Sequence, residues 1–358
     1  LANVNRADVS NLPNWIRGNQ VFIDVRSQVE FQQGHIPGAI NAPILNDEER
    51  ALIGTTYKQK GNAEAVRLGF EIVSGENRQK KMELWTSILS EHPNAILTCF
   101  RGGQRSQITQ AWLREAGFER PLIDGGYKAV RQAFMDKIEA ADHVRKFLII
   151  SGPTGAGKTG FISELEGKYP ILKLEDYAEH RGSAFGGYGR NQPSQAIFEN
   201  RLASALYFAD EFPAELPLIM EDESRMIGKS VIPEKFFLTL RASPIVWLDT
   251  PLDERVENTF QEYVVRAHPS VELYARFKDS LSKIQRKLGG LRYQEILSDL
   301  EKAEAVWKEN GVLNLHKVWI EKLLHYYYDP LYFGSLDRRV PNTVFKGHPR
   351  DALKFLKA

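Results

Sequence analysis

Lys146–Thr159 reads KFLIISGPTGAGKT, an apolar run followed at once by a glycine-rich turn, a lysine and a threonine. The run has the length and bulk of a buried strand, and the residues after Thr159 suit a helix. Gly152, Gly155, Gly157, Lys158 and Thr159 fit the pattern GxxxxGK[ST] in the strand–loop–helix setting that gives it meaning. Backbone N–H groups in such a loop turn inward, and the helix start adds partial positive charge, so the loop cradles phosphates. Lys158 is expected on the terminal phosphates and Thr159 on a magnesium ion. LPLIMEDESR (Leu216–Arg225) supplies an acid at the end of another apolar strand. Asp222 is the expected magnesium-side acid, with Glu221 and Arg225 nearby. No guanine-reading NKxD motif follows, so the cradle is open to a nucleotide or to another diphosphate. After the unit's second strand comes a glycine-rich stretch with His180, Arg181 and Arg190, expected either to face the phosphates or to form a surface loop.

A second loop lies upstream. Ala95–Ser106 reads AILTCFRGGQRS and holds the chain's single cysteine. A thiol is mostly protonated at neutral pH, but a helix start and nearby arginines lower its pKa and make a nucleophile. Gly102 and Gly103 let the backbone curl. Arg105 can grip two oxygens of an oxyanion, and Arg101 is a second candidate. Ser106 can cap the following helix or bond the sulfur of Cys99. The competing account is a buried structural cysteine.

Working outward, VFIDVRS (Val21–Ser27) and PLIDGGYKAV (Pro121–Val130) add strands, and Asp47–Leu89 shows helical periodicity broken by glycines. Alternating strands and helices predict α/β architecture with parallel sheets and sites at the strand carboxyl ends. The boundaries expected are a first domain over 1–135, a connector over 136–145, a P-loop domain over 146–260 and a mostly helical segment over 261–358. A short strand is expected at NTVFKG near the end.

The chain has 358 residues and a formal net charge of +1, so any polyanion must meet a local basic patch and not a global field. Lys283, Arg286 and Lys287 share a helix face by spacing, with Arg292 nearby, and make the leading nucleic-acid patch. Arg338 and Arg339 belong to a weaker group. HYYYDPLY (His325–Tyr332) either stacks a base or packs a helix end. One cysteine excludes an internal disulfide and an internal resolving thiol. With no leader pattern and no apolar run of membrane-spanning length, a cytoplasmic protein without membrane attachment is expected.

IDVRSQVEFQQGHIPGAINAP, with a cysteine loop some seventy residues on, resembles a rhodanese-type domain. The C-x5-R interval from Cys99 to Arg105 is one residue longer than in many sulfurtransferases of that fold. It is similar to that of rhodanese-fold phosphatases, although Thr98 stands where they carry histidine. CFRGGQRS and GPTGAGKT together with HRGSAFG, QPSQAIFEN, EDESRMIG, GGYKA and YYYDPLY closely resemble the tRNA 2-selenouridine synthase family over nearly the whole chain. That resemblance implies a tRNA with wobble 2-thiouridine, alkylated on sulfur by geranyl diphosphate. Selenium from selenophosphate then replaces the geranylated sulfur. It implies no tightly bound organic cofactor and admits Mg2+. Cys99 would either carry selenium covalently or assist while the loop positions selenophosphate. The alternatives are an ATP-dependent RNA sulfurtransferase, a non-catalytic tRNA-binding regulator with a P-loop switch, and a phosphatase–kinase fusion.

Overall fold

The computed structural model describes residues 4–180, 192–336 and 342–357. The chain forms two compact units, one of residues 1–141 and 193–211, the other of 142–192 and 212–358.

The first unit is built on a parallel sheet of short strands: β1 (Arg6–Ala7), β2 (Phe22–Asp24), β3 (Ala39–Asn41), β4 (Ile96–Thr98) and β5 (Leu122–Ile123), in the order β1-β5-β4-β2-β3. Phe22 lies opposite Ile96 and Asp24 opposite Thr98, so β2 and β4 end level. Between the strands run α1 (Leu12–Arg17), α2 (Gln28–Gln33), α3 (Asp47–Lys60), α4 (Asn62–Ile72), α5 (Gly75–Glu91), α6 (Gln104–Glu115) and α7 (Gly126–Glu139). Asn46 and Glu49 exchange reciprocal 2.8 Å hydrogen bonds at the start of α3, a capping box that satisfies two orphan amides. Gly61, at φ 85°, ends α3 and opens α4. Trp85 of α5 is fully buried in the core beneath β4, and its indole N–H donates to the Ala42 carbonyl at 2.9 Å. Truncation to alanine there is expected to cost about 3–5 kcal/mol.

A short helix, α8 (Ala141–Val144), carries the chain into the second unit, whose sheet order is β12-β11-β6-β8-β7, all parallel. Its strands are β6 (Phe147–Ser151), β7 (Ile171–Leu172), β8 (Leu218–Glu221), β11 (Ile245–Leu248) and β12 (Thr343–Gly347); β9 (Met226–Ile227) and β10 (Ser230–Val231) form a separate hairpin. Every residue of β6 is buried, as its unbroken apolar sequence requires of a strand covered on both faces. The helices after α8 are α9 (Lys158–Ser163), α10 (Leu174–Tyr177), α11 (Gln195–Ala209), α12 (Glu234–Ala242), α13 (Leu252–Phe260), α14 (Val271–Leu288), α15 (Gly290–Asn310), α16 (His316–Leu323), α17 (Asp329–Leu336) and α18 (Pro349–Lys357), all but α11 in the second unit. In α14 the buried residues Leu273, Tyr274, Phe277, Leu281, Ile284 and Leu288 recur every three to four positions and form one apolar stripe. They pack on α15 and α16 in a core of their own.

Three expected boundaries change. Helix α11 falls inside the stretch assigned to the P-loop domain but belongs to the first unit, packed on α7. Arg131 of α7 pairs with Glu199 and donates to Asn200 Oδ1, while Asn200 donates to the His35 carbonyl at 2.7 Å. The segment after 260 is helical as expected, but it is not a separate layer. Its β12, the strand expected at NTVFKG, closes the edge of the P-loop sheet, with Phe345 opposite Val246. The expected connector also shifts, because α7 continues to Glu139. Among the described residues no helix is long and apolar enough to cross a membrane.

Candidate active site: two anion loops

Each loop leaves the carboxyl end of the central strand of its sheet, where parallel sheets place their ligands. In the first unit the loop runs from Cys99 to Gly103 between β4 and α6. Cys99 is 2% exposed, and its Sγ lies 3.1 Å from Ser106 Oγ, which also donates to the Gly103 carbonyl. The loop is closed from behind by the start of α7. Tyr127 and Lys128 donate their N–H groups to the carbonyls of Cys99 and Phe100, at 2.8 and 2.9 Å. Gly126 sits at φ 60°, and a Cβ there would fall 2.4 Å from the Cys99 oxygen. Only glycine permits that approach, which gives GGYKA a physical role. Gly102 is buried and Arg101 is exposed, its guanidinium 5.7 Å from the Phe100 ring.

Arg105 does not stand open toward an anion as expected. Its guanidinium forks onto Glu30, at 2.5 and 3.2 Å. Burial pulls the Arg105 pKa down, but the Glu30 carboxylate outweighs it and the net shift is upward. Burial likewise lifts the Glu30 carboxyl, and Arg105 and Arg50 reverse that to a net depression. Glu30 also accepts the Ser27 N–H in the capping box of α2. Nothing in the pattern around Cys99 foretold Glu30, because the partners lie 75 residues apart.

In the second unit the loop after β6 has the expected form. Gly155 and Gly157 take φ near 80°, and a Cβ on Gly155 would meet the Arg255 carbonyl at 2.5 Å. Gly152 presents its carbonyl to the Lys158 ammonium at 2.9 Å. Helix α13 braces the loop in a way the motif does not disclose. Arg255 donates to the Thr154 carbonyl and Asn258 to the Gly155 carbonyl, both at 2.9 Å, and Arg255 is anchored by Asp329 at 2.5 Å. Tyr332 of YYYDPLY sits beside the loop, its ring 5.8 Å from the Lys158 ammonium and its hydroxyl 3.5 Å from Ser151 Oγ.

The acid facing Thr159 is Glu221 and not Asp222. Thr159 Oγ1 donates to Glu221 at 3.1 Å, whereas Asp222 accepts from Ser151 Oγ at 2.6 Å. The reason is strand geometry. Successive side chains in extended backbone point to opposite sides, so Glu221 and Glu223 share one side and Asp222 takes the other. Carboxylate oxygens of Glu175, Glu221 and Glu223 lie within 4.8 Å of one another. Burial raises the pKa of Glu221, and burial with the charges of Glu175 and Glu221 raises that of Glu223 well above the carboxylate range. Burial lowers the Lys158 ammonium, but the Tyr332 hydroxyl and the neighbouring acids more than restore it. Such a set of oxygen ligands, crowded and short of positive charge, fits a hard divalent cation.

His180 follows α10, its N–H on the Glu175 carbonyl at 3.1 Å. Arg225 is half-exposed and lies 3.6 Å from Glu234, on the β9–β10 side. Arg181, Arg190, Arg338 and Arg339 lie outside the described residues. Lys283, Arg286 and Lys287 are exposed on α14, Lys283 paired with Asp279, and Arg292 lies over the Tyr326 ring at 4.9 Å.

A rhodanese-like thiol loop and a P-loop with an acidic flank, carried on two units of one chain, define a two-domain transferase of the α/β class. Comparison with known proteins then gives the family. Residues 8–133 match the rhodanese-like domain, and residues 145–358 match the AAA domain of tRNA 2-selenouridine synthase. The tRNA 2-selenouridine synthase of Bdellovibrio bacteriovorus is 46% identical, with 96% of each chain covered. That of Nitrosomonas europaea is 46% identical over 94% of each chain, and that of a Sulfurovum species 40% over 97% of each. The chain belongs to the tRNA 2-selenouridine synthase family, a family of tRNA-modifying enzymes.

Proposed function

We propose that the protein converts wobble 2-thiouridine of tRNA to 2-selenouridine in two steps, one at each anion loop. The observation that supports this most is the contrast between the loops: a buried thiol on one, and a lysine facing clustered carboxylates on the other.

In the first step the thiouridine sulfur attacks the first carbon of geranyl diphosphate. The carbon–oxygen bond breaks, diphosphate leaves and the base loses its ring N–H proton. Lys158 and the loop amides meet the charge that develops on the departing oxygens. Thr159, Glu221 and Glu223 are the residues that would hold Mg2+, and the ion would neutralise charge on the diphosphate. Arg255 and Asn258 keep the loop in shape.

In the second step selenium from selenophosphate bonds to C2 of the base. The C2–sulfur bond breaks, the geranyl thiolate leaves, and water takes the phosphoryl group as phosphate. Selenium in selenophosphate is already at the selenide level, so direct attack on carbon is redox-neutral. Loading it on Cys99 as a perselenide would require an oxidant. Cys99 therefore acts as proton donor to the departing thiolate, with Ser106 next in line. Arg105, steered by Glu30, and Arg101 bind the oxyanion. Lys283, Arg286, Lys287 and Arg292 hold tRNA phosphates.

The test is to incubate the protein with 2-thiouridine tRNA, geranyl diphosphate and selenophosphate and to weigh the digested nucleosides. Selenouridine is expected. Unchanged thiouridine would refute the reading, and sulfur exchange driven by ATP would favour the sulfurtransferase alternative.

A further inference from the structure

A cavity of about 650 Å³ opens beside Cys99, within the size range of small-molecule sites. It lies wholly in the first unit, between the Cys99 loop, α6 and the helix pair α3–α4. Its walls are apolar: Ile53 from α3, Val66 and Val73 from α4 and the residue after it, Ile108 and Trp112 from α6. Oxyanion chemistry does not call for such walls. Four cations, Arg50, Lys58, Arg101 and Arg105, also line it. Three lining aromatic side chains stay exposed, Tyr57 at 57%, Phe70 at 47% and Phe100 at 40%. Single exposed apolar residues are ordinary, but three around one apolar cavity mark a binding site.

We infer that this cavity is the binding site for the isoprenoid chain of the S-geranyl nucleoside. The chain lies along Ile53, Val66 and Trp112, and the base stacks on the aromatic residues at the opening. This rests on the two-step reading and adds to it a location for the leaving group. A hydrocarbon chain extending from sulfur needs a dry wall, and Cys99 forms part of that wall. The departing sulfur is thereby brought to the thiol that protonates it, while the cations of the lining take the oxyanion. In the second unit the pocket lined by Thr159, Glu221 and Glu223 measures about 60 Å³.

Gly69 of α4 gives a clean way to fill the site. A Cβ there would meet only Ile53 Cδ1, at 3.5 Å, an ordinary contact. Gly69→Leu and Val66→Phe both add bulk to the cavity. The experiment measures binding of S-geranyl-2-thiouridine and S-methyl-2-thiouridine to the full chain by titration calorimetry, with melting curves for each variant. Each buried methylene is worth roughly fourfold, so wild type is expected to favour the geranyl compound by at least about fiftyfold. Both filling variants are expected to bring that ratio close to one, and Lys158→Ala to leave it unchanged. Because there are two filling variants, failure of one to fold does not stop the test. No preference in wild type, a preference that survives in the folded filling variants, or one lost only in Lys158→Ala would overturn the inference. Selective binding without selenouridine formation would remove the two-step reading and keep the site. Selenouridine formation without chain preference would do the reverse.

Discussion

The two loops occupy the same place in two similar parallel sheets, yet they solve different problems. The loop after β6 crowds opposite charges: half-buried Lys158 sits among carboxylates, two of which burial holds above their ordinary range. The loop after β4 keeps a buried cysteine at an apolar wall and has its arginine already paired with Glu30. The first arrangement suits a multiply charged phosphate ester with a cation. The second suits carbon and chalcogen chemistry with only one oxyanion to hold. The position at the strand end is thus a shared platform, and the side chains from neighbouring elements decide its chemistry.

The sharpest break in this comparison is Cys99→Ser. Losing a positioned proton donor is expected to slow selenium incorporation by on the order of 10²–10⁴ while S-geranyl nucleoside accumulates, as nucleoside mass spectrometry will read. Lys158→Ala is expected to slow geranylation by on the order of 10²–10³, the scale of one transition-state donor, in a single-turnover assay with thiouridine tRNA. Replacing Lys283, Arg286 and Lys287 together with alanine should weaken tRNA binding and flatten its salt dependence by about two to three units of log–log slope. The change should be the same for both steps, since it touches neither loop. Glu30→Gln should raise the KM for selenophosphate roughly tenfold through misplacement of Arg105, with geranylation unaffected.

A separate effect concerns stability alone. His316 is fully buried, accepts from the Trp319 indole at 2.8 Å and lies 2.8 Å from the Tyr274 hydroxyl. Burial lowers its pKa to about 4. The unfolded chain therefore binds the extra proton first, and stability is lost as pH falls from 6.5 toward 4, by roughly 3 kcal/mol if fully expressed. Melting at pH 4.5 and pH 7 should show that loss, and His316→Gln should flatten it.

Both loops were legible in the sequence because each is local: an apolar strand, a glycine turn and a helix within about a dozen residues. What lay beyond was long-range or geometric. Glu30 reaches Arg105, Arg255 reaches Thr154 and Tyr332 reaches Lys158 only through the fold. The choice between Glu221 and Asp222 turned on strand alternation, which a one-residue shift reverses. Strands β1 and β3 are too short to carry a pattern. Helix α11 buries residues around most of its circumference, so its periodicity gave no hint of which unit it joins.

On the proposed reading the two loops serve successive and separable steps. The most direct measurement supplies tRNA already carrying S-geranyl-2-thiouridine, with selenophosphate and no geranyl diphosphate, to wild type, Lys158→Ala and Cys99→Ser. Selenouridine is expected at comparable rates from wild type and Lys158→Ala, and almost none from Cys99→Ser. Loss of selenium incorporation in Lys158→Ala, or full incorporation in Cys99→Ser, would contradict it.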